Sequence, residues 1–303
     1  MTDPRYAPQH GPIGRPGDDP AAPRAAAATS LLFVPADRPE RFDNAVAAGD
    51  LAILDLEAAV ADPRKAAARD YVRAWLSAGG RAAVRVNVVE SAEHERDLAA
   101  LEGMPGLLAA VVPLAEYPDT LTSVAHRLGA PVIAMVESAL GVHRAVELAS
   151  AEGVCRLAFG SIDFSLDIDA VESPESLLLA RSQLVIASRV AGLAAPVDTV
   201  TTDISADGPV RDDARRARGL GFSGKFCIHP AQVVPVNSAF RPTSAAVAWA
   251  IRVLAVAPSG AAAQVDGHMV DQPVVERARR ILDRAERGTD PAGRTTPAAE
   301  ETR

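Results

Sequence analysis

Two acidic residues, Glu137 and Asp163, each close an apolar run of the sequence. The residues between the two runs have helical spacing, so the segment reads as strand, helix, strand. Such a unit places the ends of two parallel strands, and therefore both carboxylates, on one face of a sheet. Two acids there cost desolvation free energy unless positive charge lies between them, which favours a bound divalent cation. The alternative is that each acid caps a helix or pairs with an arginine.

A basic residue, Arg85, ends another apolar run. An unpaired guanidinium at a buried strand end would be costly, so its partner is an internal acid such as Glu57, the carboxylate of a bound ligand, or both. Asp55 and Glu57 follow the preceding strand and are candidates for substrate binding, with Glu57 and Arg85 also candidates for catalysis. An internal salt bridge with Arg85 or Lys65 is the alternative for these acids.

Further polar or rigid residues mark the remaining strand ends. Pro35 is a candidate substrate contact, and His229 is either a substrate ligand or base, or a satisfied core residue. Because oxygen ligands dominate these positions, Mg²⁺ is the expected metal and zinc is disfavoured. The other residues expected near this face are Ala36 to Arg38, Asn87, Pro113, and Asp198 or Asp203.

Several classes of active site are excluded by the sequence. It contains neither a phosphate-binding GxxxxGK[ST] loop nor a GxSxG nucleophile elbow. Lys225 begins its strand instead of ending it, which argues against Schiff-base catalysis.

The elements that must position these residues alternate regularly between strand and helix. Eight strand and helix pairs fit a closed (β/α)₈ TIM barrel, although a doubly wound open sheet has the same pattern. We therefore expect a disordered tail over residues 1–28, a barrel over 29–242, C-terminal helices and a lid over 243–287, and a second disordered tail over 288–303.

Length and composition describe an ordinary globular chain. It has 303 residues, 48% of them hydrophobic, and a net charge of −8 without long charged runs, which argues against nucleic-acid binding. No apolar run is long enough to span a bilayer, and the first 28 residues lack the apolar block of a signal peptide. The two cysteines, Cys155 and Cys227, lie in apolar runs and are expected to be reduced. We expect a cytoplasmic protein with a small-molecule partner.

Seven motifs, in order along the chain, resemble the citrate lyase β-subunit-like proteins of the HpcH/HpaI aldolase group, relatives of malyl-CoA and citramalyl-CoA lyases. The resemblance extends from about Leu31 to Leu282. The motifs are LFVPADRPERF (32–42), ILDLE (53–57), VRVN (84–87), VESALG (136–141), AFGSID (158–163), GFSGKFCIHPAQ (221–232) and VDGHMVDQP (265–273).

The resemblance implies a (β/α)₈ barrel, commonly a homotrimer or hexamer, that makes or breaks a carbon–carbon bond in acyl-CoA esters. It implies that Glu137 and Asp163 bind Mg²⁺ and that Arg85 binds the carboxylate of a 2-oxo acid. It also matches Asp271, with Asp266 second, to a lid aspartate that a neighbouring subunit contributes and that handles a carbon-bound proton. Capping of the last helix is the alternative role for Asp271.

Two departures from the resembling proteins concern the substrate. Ala58 stands where they often carry Asp, and Leu114 where they often carry Lys. The leading hypothesis is a Mg²⁺-dependent lyase that cleaves malyl-, citramalyl- or citryl-CoA into an acyl-CoA and a 2-oxo acid. The alternatives are a 2-oxo acid aldolase or a malate synthase-like or thioesterase enzyme on the same site, and a catalytically degenerate barrel.

Overall fold

A closed barrel of eight parallel strands, β1 to β8, is the centre of the structure, a computed structural model that describes residues 21–256 and 263–287. Each strand pairs with its sequence neighbours, and β1 pairs with β8. The closed barrel is confirmed and the open sheet is excluded. The strands are β1 (Ser30–Pro35), β2 (Leu51–Asp55), β3 (Ala82–Arg85), β4 (Leu107–Val112), β5 (Val132–Val136), β6 (Val154–Phe159), β7 (Val197–Asp198) and β8 (Gly224–Cys227).

Helices alternate with these strands and cover the barrel from outside. Both faces of the strands are thus buried, which is why the strands are almost continuously apolar. Short 3₁₀ helices at 39–41, 62–64 and 230–232 precede helices. The α-helices are α1 (Ala21–Ala27), α2 (Phe42–Ala48), α3 (Lys65–Ser77), α4 (Ala92–Leu101), α5 (Pro118–Leu128), α6 (Ala139–His143), α7 (Ala145–Ala149), α8 (Ser161–Asp167), α9 (Leu178–Val190), α10 (Asp207–Leu220), α11 (Val233–Phe240), α12 (Ser244–Val256) and α13 (Gln272–Arg287).

The barrel interior is one apolar cluster to which every strand contributes. Along β2 its members are Leu51 and Ile53, and along β5 they are Ile133 and Met135. This spacing of two is that of side chains on one face of a strand. Residues that continue the same spacing past the strand ends therefore point toward the barrel axis.

The first helix, α1, corrects the predicted tail. Residues 21–27 are helical, and Ala25 and Ala28 belong to the interior cluster. The fully buried Arg156 donates from Nη1 to the carbonyls of Ala28 at 2.6 Å and Ala25 at 3.3 Å. Because Arg156 lies near the amino end of β6, α1 covers that end of the barrel. Residues 1–20 of the predicted tail lie outside the described residues.

The chain divides into two compact units, one ending at Val236 and the other beginning at Asn237. The second unit contains α12, α13 and a hairpin of β9 (Ala263–Val265) and β10 (His268–Val270), which the sequence analysis did not predict. Its apolar cluster joins residues of α12 and α13 with Val265 and Val270. The predicted tail over 288–303 and most of the predicted loop at 258–263 lie outside the described residues.

Two further findings concern the described part of the chain. No helix there is both long enough and apolar enough to cross a membrane. Cys155 and Cys227 are free thiols, as expected, and burial raises the pKa of each to about 12.

Candidate active site

Four of the predicted site residues lie at the carboxyl end of the barrel. Pro35, Asp55 and Arg85 are direct neighbours across β1, β2 and β3. Glu137 follows β5 at the next inward position after Met135. Since alternate residues of a strand share a face, Asp55, Arg85 and Glu137 all face the barrel axis.

Arg85 is held on three sides. Its Nε donates to Asp55 Oδ1 at 2.7 Å, its Nη2 donates to Asp55 Oδ2 at 2.6 Å, and its Nη1 lies 3.2 Å from Glu57 Oε2. The ring of Phe33 lies against the guanidinium, with its centroid 4.6 Å from Cζ. These contacts use the edge between Nε and Nη2 and one side of Nη1. A guanidinium has a second edge, between Nη1 and Nη2, through which it can bind a carboxylate by two parallel bonds.

Asp55 orients Arg85. Besides the two bonds from the guanidinium, its carboxylate accepts the amides of Glu57 at 3.0 Å and Ala59 at 3.1 Å. Four donors satisfy both oxygens, and the side chain is only 2% exposed. The sequence made Asp55 a candidate substrate contact, and such a contact would require one of these bonds to be given up. The contacts observed are those that orient Arg85, and substrate binding by Asp55 stays a prediction.

Glu57 is more exposed than Asp55, the other acid that contacts Arg85. Its side chain is 25% exposed. Burial raises the pKa of its carboxyl above the usual value, and the nearby charge of Arg85 opposes that effect. The structure contains the internal ion pair between Glu57 and Arg85, one of the interpretations that the sequence left open.

Glu137 is a buried carboxylate that lies close to the other charged groups. Its Oε2 accepts the amide of Leu114 at 2.8 Å, and the residue is 5% exposed. Burial raises the pKa of Glu137 to about 8, and Asp163 acts in the same direction while Arg85 opposes it. At Gly160 an added Cβ would lie 2.3 Å from Glu137 Oε1, so the carboxylate occupies space that only glycine leaves.

Asp163 requires a correction. β6 ends at Phe159, and Asp163 lies in the first turn of α8, so it is not at the strand end itself. Its carboxylate is exposed and lies close enough to Glu137 to contribute to the raised pKa of that residue, and α8 is tied to the segment after β5. Asp167 Oδ2, at the other end of α8, accepts the amide of Ala139 at 2.7 Å. Asp167 is not predicted from the sequence, because an acid at the end of a short helix has no signal that separates it from a solvated charge.

The donor set suits a hard divalent cation that also binds its ligand. Within the described residues, no group of three or more His, Cys, Asp or Glu side chains could hold a metal by itself. Glu137 and Asp163 supply carboxylate oxygens, and an incomplete protein shell leaves positions for water and for ligand oxygens. A cation here would also compensate the charge of the buried Glu137. The residues present therefore fit Mg²⁺.

Leu114, one of the two departures, lies at the rim of the site. Its backbone has a φ of 46°, in the left-handed region that residues other than glycine rarely adopt. The amide that reaches Glu137 belongs to the backbone, so this bond does not require a lysine side chain at position 114. Leucine in place of lysine removes a positive charge from the rim of the site, whereas the backbone amide of residue 114 keeps its bond to Glu137.

The remaining predicted residues have other local contacts. His229 is exposed and its Nδ1 accepts the amide of Ala231 at 3.2 Å, which makes it a helix cap; a role in substrate binding stays a prediction. Asp198 is buried and pairs with Arg181 of α9 at 3.0 Å, outside the barrel interior. Asp203 Oδ1 accepts the amide and hydroxyl of Ser205. Neither Asp198 nor Asp203 joins the site.

Asp271 precedes α13 in the second unit. Its backbone oxygen accepts the amide of Val275 at 3.0 Å, and its Oδ1 lies 3.5 Å from the amide nitrogen of Val274. These contacts agree with the capping alternative. The proton-handling role implied by the resemblance stays a prediction.

Comparison with known proteins gives one consistent result. Residues 29–230 match the HpcH/HpaI aldolase/citrate lyase family. A citrate lyase subunit beta-like protein of Mycobacterium tuberculosis is 37% identical over 272 residues, which cover 87% of this chain and 98% of that protein. A (3S)-malyl-CoA thioesterase of Cereibacter sphaeroides is 31% identical over 270 residues, covering 85% of this chain and 94% of that one.

A solved structure agrees with these relatives. The crystal structure of protein CitE from M. tuberculosis in complex with magnesium, acetoacetate and coenzyme A superposes with a TM-score of 0.78 at 36% identity. The match covers 87% of this chain and 99% of that one. The chain described here belongs to the HpcH/HpaI aldolase/citrate lyase family.

Proposed function

We propose that this protein is a Mg²⁺-dependent carbon–carbon lyase that cleaves a hydroxyacyl-CoA, such as malyl-, citramalyl- or citryl-CoA, into an acyl-CoA and a 2-oxo acid. The observation that carries the proposal is that Glu137, at the carboxyl end of the barrel, lies within electrostatic reach of both Asp163 and Arg85. The CitE structure with magnesium, acetoacetate and coenzyme A supports the metal and the class of substrate.

In this proposal the chain binds the 2-oxo acid portion through two groups. Arg85 binds its carboxylate through the edge between Nη1 and Nη2, and Phe33 covers one face of the guanidinium. Glu137 and Asp163 hold Mg²⁺, which when bound acts as a Lewis acid toward oxygens of the same portion. Asp55 keeps the guanidinium in one orientation, so that less conformational entropy is lost on binding.

The reaction needs two proton movements. The bond between the hydroxyl-bearing carbon and its neighbour breaks, the hydroxyl loses a proton and becomes a carbonyl group, and the electron pair of the broken bond passes to the acyl-CoA enolate, which gains a proton on carbon. We assign the first proton to Glu57, whose half-buried carboxylate lies beside Arg85. We assign the second to Asp271 of a neighbouring subunit, with Asp266 as the second choice.

A panel of hydroxyacyl-CoA esters tests this function. Each ester is incubated with the protein and Mg²⁺, and the released 2-oxo acid is measured. We expect at least one ester to be cleaved and EDTA to abolish the release. A protein that cleaves none of the malyl, citramalyl and citryl esters would contradict the proposal.

A second candidate function is hydrolysis of the thioester, favoured by the similarity to a (3S)-malyl-CoA thioesterase. A malate synthase-like enzyme also releases free coenzyme A, whereas an aldolase acting on free 2-oxo acids uses none. Measuring coenzyme A as free thiol or as acyl thioester among the products separates these reactions from the lyase.

A degenerate barrel is the remaining candidate, suggested by Ala58 and Leu114. Calorimetric titration with Mg²⁺ and oxaloacetate or glyoxylate would then show no coupled binding.

We further propose that the protein is a cytoplasmic homotrimer or hexamer. Light scattering after gel filtration measures the mass, and a monomer would contradict the assignment of Asp271 to a neighbouring subunit.

A further inference from the structure

The chain contains 31 lysines and arginines, and only Lys65 and Lys225 are lysines. Both are buried, with 6% and 0% of their surface exposed. Arginine thus serves nearly every position that needs a positive charge in this chain. At these two sites a compact ammonium group donates to acceptors inside the protein. A guanidinium is planar and spreads its donors over a wider fork, so it cannot reproduce this geometry.

Lys65, the first residue of α3, uses all three of its donors. Its Nζ donates to the carbonyl of Leu56 at 2.9 Å, to the carbonyl of Glu57 at 3.0 Å and to Asn87 Oδ1 at 2.6 Å. Leu56 and Glu57 follow β2, whereas Asn87 follows β3. A single ammonium therefore joins the segments that carry the two partners of the ion pair, Glu57 and Arg85.

The third acceptor is itself fixed from behind. Asp97 of α4 accepts both the amide and the side-chain nitrogen of Asn87, at 2.8 and 2.6 Å, and the guanidinium of Arg69 at 3.1 Å. The same side-chain nitrogen of Asn87 donates to the carbonyl of Leu56 at 3.1 Å. The acceptors around Lys65 are held in place, and a larger cation would have to displace them.

We propose that Lys65 is a positioning residue that sets Glu57 against Arg85 and thereby shapes the binding site for the carboxylate of the 2-oxo acid. The part that concerns the 2-oxo acid rests on the proposed function. Lys65 does not touch the ligand. It acts through the backbone of residues 56 and 57, because losing its bonds frees the segment that carries the Glu57 carboxylate.

The test compares Lys65→Met and Lys65→Arg with Lys225→Met. Lys225 is the matched control: it is also a buried lysine bonded to a backbone carbonyl, that of Thr199 at 2.6 Å, on the β7 and β8 side of the barrel. For each variant we measure the melting temperature, the affinity for oxaloacetate in the presence of Mg²⁺ by calorimetry, and the kcat and KM of the reaction.

We expect Lys65→Met and Lys225→Met to lower the melting temperature, since each leaves buried acceptors unpaired. Lys65→Met and Lys65→Arg should weaken oxaloacetate binding by at least about tenfold, as a misplaced binding group does, and raise KM accordingly. Lys225→Met should leave this affinity unchanged. Three results would overturn the proposal. They are an oxaloacetate affinity of Lys65→Met equal to that of the wild type, a wild-type affinity in Lys65→Arg, and an equal loss of affinity in Lys225→Met. If Lys65→Met does not fold, Lys65→Gln, which keeps a donor, replaces it.

A crystal structure of Lys65→Met separates this proposal from the proposed function. If the wild-type protein binds no 2-oxo acid, the proposed function fails, but the positions of residues 56–59 can still be compared between Lys65→Met and Lys225→Met. We expect the contact between Glu57 and Arg85 to be lost in the first variant and kept in the second. An unchanged contact in Lys65→Met would refute the positioning role.

Discussion

At the scale of single residues, Glu137 is the side chain on which cation binding would depend most directly in our proposal. Glu137→Gln keeps the shape and the acceptor for the amide of Leu114 but removes the negative charge, so Mg²⁺ affinity should fall by at least about tenfold. Calorimetric titration measures it. Glu116→Gln is the control, because Glu116 accepts the Ser138 hydroxyl at 2.6 Å and is not a proposed ligand. Equal affinity in Glu137→Gln and wild type would contradict the metal site.

Gly160 provides a second test at the same scale. An added methyl group would lie 2.3 Å from Glu137 Oε1, so Gly160→Ala should displace that carboxylate and weaken Mg²⁺ binding by about tenfold or more. Gly219→Ala is the matched control, since its Cβ would meet nothing within 4 Å and the residue lies in α10. We expect the control to bind Mg²⁺ normally. Unchanged binding in Gly160→Ala would show that Glu137 can reorient without loss.

At the scale of elements, α8 determines where Asp163 lies. Asp167, at the end of α8, accepts the amide of Ala139, which lies in the segment after β5. Asp167→Ala should free the helix and reduce Mg²⁺ affinity by roughly threefold to tenfold, a smaller loss than removing a ligand. Asp70→Ala, an exposed acid of α3, is the control. If Asp167→Ala binds Mg²⁺ as tightly as the control, α8 is held by its other contacts.

Across the whole molecule, Arg156 links the amino end of the barrel to α1 and to the segment before β7. Besides its bonds to α1, its Nε donates to the carbonyl of Ala195 and its Nη2 to the hydroxyl of Ser223, both at 2.8 Å. Arg156→Met removes all of these bonds and leaves the buried carbonyls of Ala25 and Ala28 without this donor, so the free energy of unfolding should fall by about 3 kcal/mol or more. Urea unfolding measures it.

The same variant should leave ligand binding intact. Mg²⁺ and oxaloacetate bind, in our proposal, at the carboxyl end of the strands, whereas Arg156 lies toward the amino end. In a barrel these ends serve function and stability separately. A loss of Mg²⁺ affinity in folded Arg156→Met would show that the two ends are coupled.

The sequence predicted the strands and the inward acids well, because both depend on local pattern. A run of apolar residues marks a strand buried on both faces, and alternation places Asp55, Arg85 and Glu137 on one side of it. The sequence did not predict α8, since the run before Asp163 continues as a strand by pattern alone. It also missed α1, where a segment rich in alanine next to prolines and charges is typical of a tail.

By itself, then, the sequence determined the alternation of eight strands with helices and the identity of the charged groups at the strand ends, because periodicity and residue type are properties of the chain. Closure of the sheet into a barrel was decided by the tertiary structure. Only the tertiary structure decided the partners. The bonds from Arg85 to Asp55, from the amide of Ala139 to Asp167 and from Lys65 to Asn87 all join residues distant in sequence. Such contacts follow from strand register and helix packing, which no local pattern encodes.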